Sequence, residues 1–325
     1  MAGLANMPDL IYYPDDRPGI SRRRAGRGWS YRAADGTTID DDRERRRIAA
    51  LAVPPAYENV WISPERRGHL QATGYDARRR KQYRYHTDWS AWRSRTKFEA
   101  LPAFGEALPA LRRRIERTLD DAEAGDRDFA IAAALRLIDR VSIRVGDETY
   151  RKANGTEGAT TLRRRNMRAD GGGIRLDWRA KGGIRVRRQI GDKRLSQALE
   201  RLADLPGAPL FEYREDDGLK TLHAHQVNDW LRDATGLEEA TAKTFRTWNG
   251  STAAMEAALD AGEGVSIKAM AEAASQRLHN TPTVARNSYV HPDVIALAEE
   301  WRDVDVPDAP RGLRVAERAL LGLIG

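Results

Sequence analysis

Apolar positions along this chain change their period near residue 98. From Phe98 to Ala122, and from Phe129 to Tyr150, they recur three or four apart, the spacing of an amphipathic helix. Ala132, Leu135, Leu137, Ile138 and Val141 fall on one stripe and are expected to be buried. Upstream the apolar runs are short. Trp29-Ser30-Tyr31-Arg32 leads into the turn-like Ala34-Asp35-Gly36-Thr37. Val60-Trp61-Ile62 and His69-Leu70-Gln71-Ala72-Thr73 flank Ser63-Pro64-Glu65-Arg66-Arg67-Gly68, and Tyr83-Arg84-Tyr85-His86 alternates aromatic with polar. One helix is expected near residues 41–52. Residues 160–190 return to short strands punctuated by Gly171-Gly172-Gly173 and Lys181-Gly182-Gly183. Further helices are expected near 195–204, 222–235, 240–260, 266–278, 293–304 and 311–324, and no internal repeat is visible.

The pattern predicts an α+β protein. Residues 1–90 form a small β-rich domain, 88–97 are the junction, and 91–325 form a larger, mainly helical domain with one small sheet. At 325 residues both parts can bury a core. No stretch approaches the length of a bilayer-spanning helix, so no membrane association is expected. Met1 to Leu10 lacks a basic region followed by an apolar run, so no secretory signal is expected either. Cysteine is absent, which removes disulfides, thiol nucleophiles and thiolate metal ligands. A cytoplasmic protein fits these features.

Charge narrows the choice of partner. The net charge is +7, and it is unevenly placed: residues 1–95 hold 19 Lys/Arg against 12 Asp/Glu, while the remainder balances. Within that remainder, residues 160–194 hold 12 basic and 3 acidic residues. Two basic clusters on a balanced background suit a polyanion, although arginine-rich solvated surfaces have the same composition.

The candidate chemistry is a set of cations and one phenol. Tyr289 lies in Leu278-His279-Asn280-Thr281-Pro282-Thr283-Val284-Ala285-Arg286-Asn287-Ser288-Tyr289, a short polar stretch interrupted by proline. Arg246 lies in Lys243-Thr244-Phe245-Arg246-Thr247-Trp248. Arg144 follows an apolar helical run and precedes Val145-Gly146-Asp147-Glu148. Lys181 is expected on a hairpin turn. Taken singly, each has a bland reading: a surface arginine, a cation–π pair with Trp248, a solvated lysine, a half-buried tyrosine. Together they supply what phosphodiester transfer needs, a nucleophile with guanidiniums that pair bidentately with phosphate. Metal chemistry is not expected, because His223-Ala224-His225 has no carboxylate set beside it. A nucleotide cofactor is not expected, because no glycine stretch is followed by Lys-Ser/Thr in P-loop spacing.

In order and spacing these pieces resemble the catalytic domain of poxvirus-type and bacterial type IB DNA topoisomerases. Leu51-Ala52-Val53-Pro54-Pro55-Ala56-Tyr57-Glu58-Asn59-Val60-Trp61-Ile62 and Gln71 through His86 are similar to that family's N-terminal domain, so the resemblance covers roughly residues 20–305. It implies Tyr289 as the nucleophile of a 3′-phosphotyrosyl link, Arg144 and Arg246 as phosphate clamps, and Lys181 as the acid for the leaving 5′-oxygen. Asn280 falls where many relatives carry histidine and is expected to donate to a non-bridging oxygen. Asp147 and Glu148 are expected to orient Arg144 or Lys181, with His279 close by. Arg78, Arg79, Arg80, Lys81, Gln82, Tyr83 and Tyr85 are the implied DNA contacts. The resemblance further implies a two-lobed clamp around duplex DNA, a monomer acting at the nucleoid without an obligate protein partner, and no cofactor. A tyrosine site-specific recombinase shares the chemistry, and a non-catalytic DNA-binding protein is the remaining alternative.

Overall fold

The computed structural model describes residues 8–170, 173–216, 218–308 and 310–325. Met1–Met7, part of the leader reading, and Gly171 and Gly172, part of the glycine punctuation, lie outside the described residues. The chain divides into two compact units, Met1–Lys97 and Phe98–Gly325.

The first unit is an antiparallel sheet with one short helix. Strands β1 (Ile20–Ala25), β2 (Gly28–Arg32), β3 (Glu58–Ile62), β4 (Leu70–Tyr75) and β5 (Lys81–Tyr85) lie in the order β2-β1-β3-β4-β5. Helix α1 (Asp42–Ala50) starts where the Asp41 carboxylate accepts from Glu44 N at 2.7 Å. The core is small: Ile20, Ile48, Val60, Ile62 and Ala72. Polar bonds supplement it. The Arg22 guanidinium donates to the carbonyls of Val53, Pro54 and Tyr57 at 3.0, 3.0 and 2.7 Å and stacks 4.1 Å from the Trp29 ring. On β5, Tyr83 and Tyr85 are two residues apart and share a face. Their rings stack at 6.0 Å, and both are nearly half exposed.

Helix α2 (Thr87–Glu99) occupies the stretch read as a junction, and the division falls inside it, after Lys97 rather than at residue 90. Residues 88–97 contain no glycine or proline, so nothing in them interrupts a helix.

The second unit is mainly helical. It contains α3 (Leu101–Asp121), α4 (Arg127–Val141), α5 (Glu148–Asn154), α6 (Lys193–Ala203), α7 (Ala224–Thr235), α8 (Ala242–Ala261), α9 (Ile267–Leu278), α10 (Pro282–Tyr289), α11 (Pro292–Ala296) and α12 (Val315–Ile324). Strands β6 (Met167–Asp170), β7 (Gly173–Arg179) and β8 (Arg185–Ile190) form the expected small sheet, and β9 (Glu212–Glu215) pairs with β10 (Gly218–Thr221) in a second hairpin. The stripe predicted on α4 is fully buried, and α8 packs across it. Trp248 of α8 has no exposed surface, because α3 meets it with Gly105: a β-carbon there would come within 2.3 Å of the ring. The Trp248 indole donates to Glu317 of α12 at 3.2 Å, and Arg112 bridges Glu317 and Asp139. These links fix the end of α4 relative to α8. The α+β class is as expected.

Two helices differ from the periodicity reading. The run 129–150 is not one helix: α4 stops at Val141, Ser142 turns left-handed at φ 55°, and a loop carries Arg144 to α5. The expected helix at 293–304 is only α11. Beyond it Val304 and Val306 pack on the core from an irregular segment in which apolar and polar residues alternate.

Candidate active site

Helix α10 delivers Tyr289. Thr281 caps it, its hydroxyl accepting from Val284 N at 3.3 Å, and Pro282 takes the first helical position, where no N–H is needed. The far end of the helix is pinned to α8. Ser251 Oγ donates to the Tyr289 carbonyl at 3.1 Å, and a β-carbon on Gly250 would stand 3.1 Å from Tyr289 Cβ. Glycine at 250 therefore sets how closely the two helices approach.

Arg246, one turn into α8, is 2% exposed. Its guanidinium donates to the carbonyl of Ser142, just past the end of α4, and to that of Leu278, the last residue of α9, at 3.0 Å. Both carbonyls lie at helix C-termini, where partnerless acceptors and the helix dipole favour a cation. Asn249 completes the fixture, donating to Asp139 O at 2.9 Å and Ser142 Oγ at 3.0 Å. The Arg246 guanidinium carbon stands 5.0 Å from the centroid of the Tyr289 ring. Arg246 Nε is buried without a partner.

Arg144 is held through its backbone. Its carbonyl accepts from Ala159 N at 2.7 Å, and Val145 O accepts from Thr160 N at 2.7 Å. Gly158 makes this closeness possible, since a β-carbon there would lie 2.6 Å from the Arg144 carbonyl oxygen. Gly146, at φ 101°, bends the loop as few other residues could.

The charges act on one another. Burial drives the Arg246 pKa down to about 10, with Arg144 adding to the shift and Tyr289 opposing it. Burial raises the Tyr289 phenol, but Arg246, Arg144 and then Lys243 outweigh it, so its pKa ends below that of an ordinary tyrosine. The phenolate is correspondingly more accessible.

The structure therefore brings Arg144, Arg246 and Tyr289 together. Asn280 sits two residues past Leu278, and both polar atoms of its side chain are buried without a partner. Such groups are rare in folded proteins. Lys181 lies outside this group. It is exposed on the β7–β8 turn, with its ammonium 5.7 Å from the Tyr150 ring.

The orienting role expected of Asp147 and Glu148 is not what their side chains do. Asp147 caps α5, accepting from Tyr150 N at 2.7 Å, and Glu148 pairs with Arg151 at 2.6 Å. A carboxylate at a helix start is drawn to the free N–H groups there. His279 has both ring nitrogens engaged, with Val141 O at 3.0 Å and Arg188 at 3.2 Å. Two contributors were missed in the sequence. Lys243, one turn before Arg246, was legible from its helical spacing. Ser142 was not, because its role is played by a backbone carbonyl.

In the first unit the basic run divides in two. Asp76 accepts from the backbone N–H groups of Arg78 and Arg80 at 2.9 Å and pairs with the Arg80 side chain, while Lys81 pairs with Asp15 at 2.5 Å. The Arg78 and Arg79 side chains are exposed on the β4–β5 turn and have no partner among the described residues. Gln82 donates to Asp76 at 3.1 Å. Among the described residues no group of three or more His, Asp or Glu side chains could hold a metal ion, and no helix is long and apolar enough to cross a membrane.

Comparison with known proteins follows the same division. Residues 28–76 match the family model for the N-terminal domain of bacterial DNA topoisomerase IB, and residues 86–287 match that for the catalytic core of eukaryotic DNA topoisomerase I. The second match covers more than half of the chain and ends just before Tyr289. The DNA topoisomerase 1B of Acanthamoeba polyphaga mimivirus is 28% identical over 246 residues, which are 74% of this chain and 73% of that protein. Among solved structures, the XerH site-specific recombinase in a post-cleavage complex with palindromic difH aligns at a TM-score of 0.38 and 14% identity, over 58% of this chain and 49% of its own. The chain thus spans about half the length of that recombinase.

Proposed function

The chain belongs to the type IB DNA topoisomerase family, and we propose that it relaxes supercoiled duplex DNA through a 3′-phosphotyrosyl intermediate. The observation that carries this reading is the Tyr289 phenol, buried against Arg246 with its pKa drawn down by Arg246 and Arg144. The Tyr289 oxygen attacks the scissile phosphorus in line, and the bond from phosphorus to the 5′-oxygen breaks. Lys181, on its exposed turn, moves in to protonate that oxygen. Arg144, Arg246 and the Asn280 amide take the charge developing on the non-bridging oxygens. The free end swivels, and the same groups run in reverse to religate. The phosphotyrosine conserves the bond energy, so no nucleotide is consumed. Each unit supplies phosphate contacts, and the protein acts as a monomer in the cytoplasm, at the nucleoid.

Plasmid relaxation by the purified protein tests this. It should proceed in EDTA and without ATP, because arginine, lysine and amide side chains supply the charge and the proton. Loss of activity under chelation, restored by a divalent ion, would overturn the mechanism. A recombinase relaxes poorly without its sites, and a non-catalytic binder does not relax at all.

The partners within the basic run decide which cations to test for DNA binding. Replacing Arg80 or Lys81 would break the pairs with Asp76 and Asp15 and disturb the hairpin itself. Arg78→Ala with Arg79→Asn removes two exposed cations, and asparagine tolerates the φ of 56° at position 79. Each lost phosphate contact should flatten the slope of log K against log salt by ~0.9. Single-turnover cleavage at saturating DNA should be unchanged, because the reacting phosphate is held by Arg144 and Arg246. An unchanged salt slope would turn the hairpin away from DNA.

A further inference from the structure

The turn between α9 and α10 carries a histidine where the backbone favours glycine. His279 closes α9 in the left-handed region, at φ 52° and ψ 53°. Glycine or asparagine is the usual residue there, and a larger side chain is strained. The imidazole is held from three sides. Nε2 lies 3.0 Å from the Val141 carbonyl, Nδ1 lies 3.2 Å from the Arg188 guanidinium, and the ring meets Trp178 at an angle of 78°, 5.7 Å between centroids. A carbonyl only accepts and a guanidinium only donates, so the ring is neutral with its proton on Nε2. Burial, followed by Arg188, lowers its pKa to about 4, against the opposing pull of the Val141 carbonyl. It therefore stays neutral across the physiological range.

The partners of His279 are parts of the site. Val141 immediately precedes Ser142, whose carbonyl holds Arg246. Trp178 and Arg188 belong to β7 and β8, the strands that flank the Lys181 turn, and Arg188 also donates to the Gln276 carbonyl at 2.9 Å. The next residue is Asn280, with its buried, partnerless amide. We propose that His279 is a positioning residue for DNA cleavage: its imidazole bolts the Asn280 turn to the end of α4 and to the β7–β8 hairpin, so that the Asn280 amide meets the scissile phosphate. The proposal rests on the reading of Asn280 as a phosphate donor.

Glycine at this position separates positioning from packing. His279→Gly relieves the backbone and removes all three side-chain contacts. Single-turnover cleavage of a suicide duplex should fall by roughly 10²-fold, the cost of misplacing a reacting group by about 1 Å, with DNA affinity unchanged. In an Asn280→Ala background the same substitution should cost less than about threefold, because the group being aligned is already gone. An unchanged rate in His279→Gly, or equal factors in the two backgrounds, would overturn the proposal. Should the glycine variant fail to fold, Arg188→Met leaves the backbone of the turn alone and carries the same cycle, judged by the same outcomes. A wild-type protein that forms no covalent adduct would overturn the reading of Tyr289 as nucleophile, and this proposal with it.

Discussion

Tyr289→Phe should yield a folded protein that binds DNA and never becomes joined to it. The ring is the part of this side chain that packs. It is 8% exposed, lies over the Arg246 guanidinium, and is anchored through a backbone carbonyl that the substitution leaves in place. Phenylalanine keeps these contacts and loses only the oxygen. The cations remain as well, so affinity for the phosphate backbone should stay near wild type. Relaxation and adduct formation should both be abolished, since no oxygen remains on α10 at the reacting position. The measurement is an SDS-resistant protein–DNA complex on labelled duplex, with binding followed separately by gel shift. An adduct that persists in the variant would place the nucleophile elsewhere in the chain.

What the sequence made legible was whatever repeats along it. Helix α4 was legible from its apolar residues, which recur on every side because the helix is buried all round from Phe129 to Asp139. Strands β2 to β5 were marked by aromatic and β-branched residues between turn signals. Strands β1, Ile-Ser-Arg-Arg-Arg-Ala, and β9, Glu-Tyr-Arg-Glu, were not, because charged residues give neither alternation nor strand preference. The end of α4 was hidden for another reason. The apolar spacing continues through Ile143 and Val145, and what stops the helix is tertiary: Asn249 and Arg246 bond to the carbonyls and hydroxyl at its end. Helix α10 was obscured by Pro282, which reads as a breaker yet serves as its first residue.

The candidate site divides along the same line. Tyr289, Arg144 and Arg246 were legible as residue types in order, and the fold brings them together. Their supporting contacts were not, since most run through backbone: the carbonyls of Ser142 and Leu278 at Arg246, and the Gly158 approach at Arg144. Sequence shows side chains, and the family resemblance assigned Asp147 and Glu148 to Arg144 or Lys181. Their nearest demands, a helix start and Arg151, were closer still.

Lys181 is the residue whose role depends most on movement, and its substitution has a signature of its own. It stands on a turn built on Gly182 and Gly183, at φ 86° and 81°, and the ammonium has no carboxylate partner among the described residues. An exposed, unpaired lysine contributes little to stability, so Lys181→Ala should melt as wild type does. On an ordinary phosphodiester the cleavage rate should fall by ~10²–10⁴, the usual contribution of a general acid. The departing 5′-alkoxide is strongly basic and leaves slowly unless it is protonated. In a 5′-bridging phosphorothiolate the departing atom is sulfur, and a thiolate, far less basic than an alkoxide, leaves without a proton. The variant should therefore cleave that substrate almost as fast as wild type, while Arg246→Ala, which removes charge from the phosphate itself, should be slow on both. Single-turnover rates for the two proteins on the two substrates decide the matter. Equal defects for Lys181→Ala on oxygen and sulfur would make this lysine a binding residue and leave the leaving group without its acid.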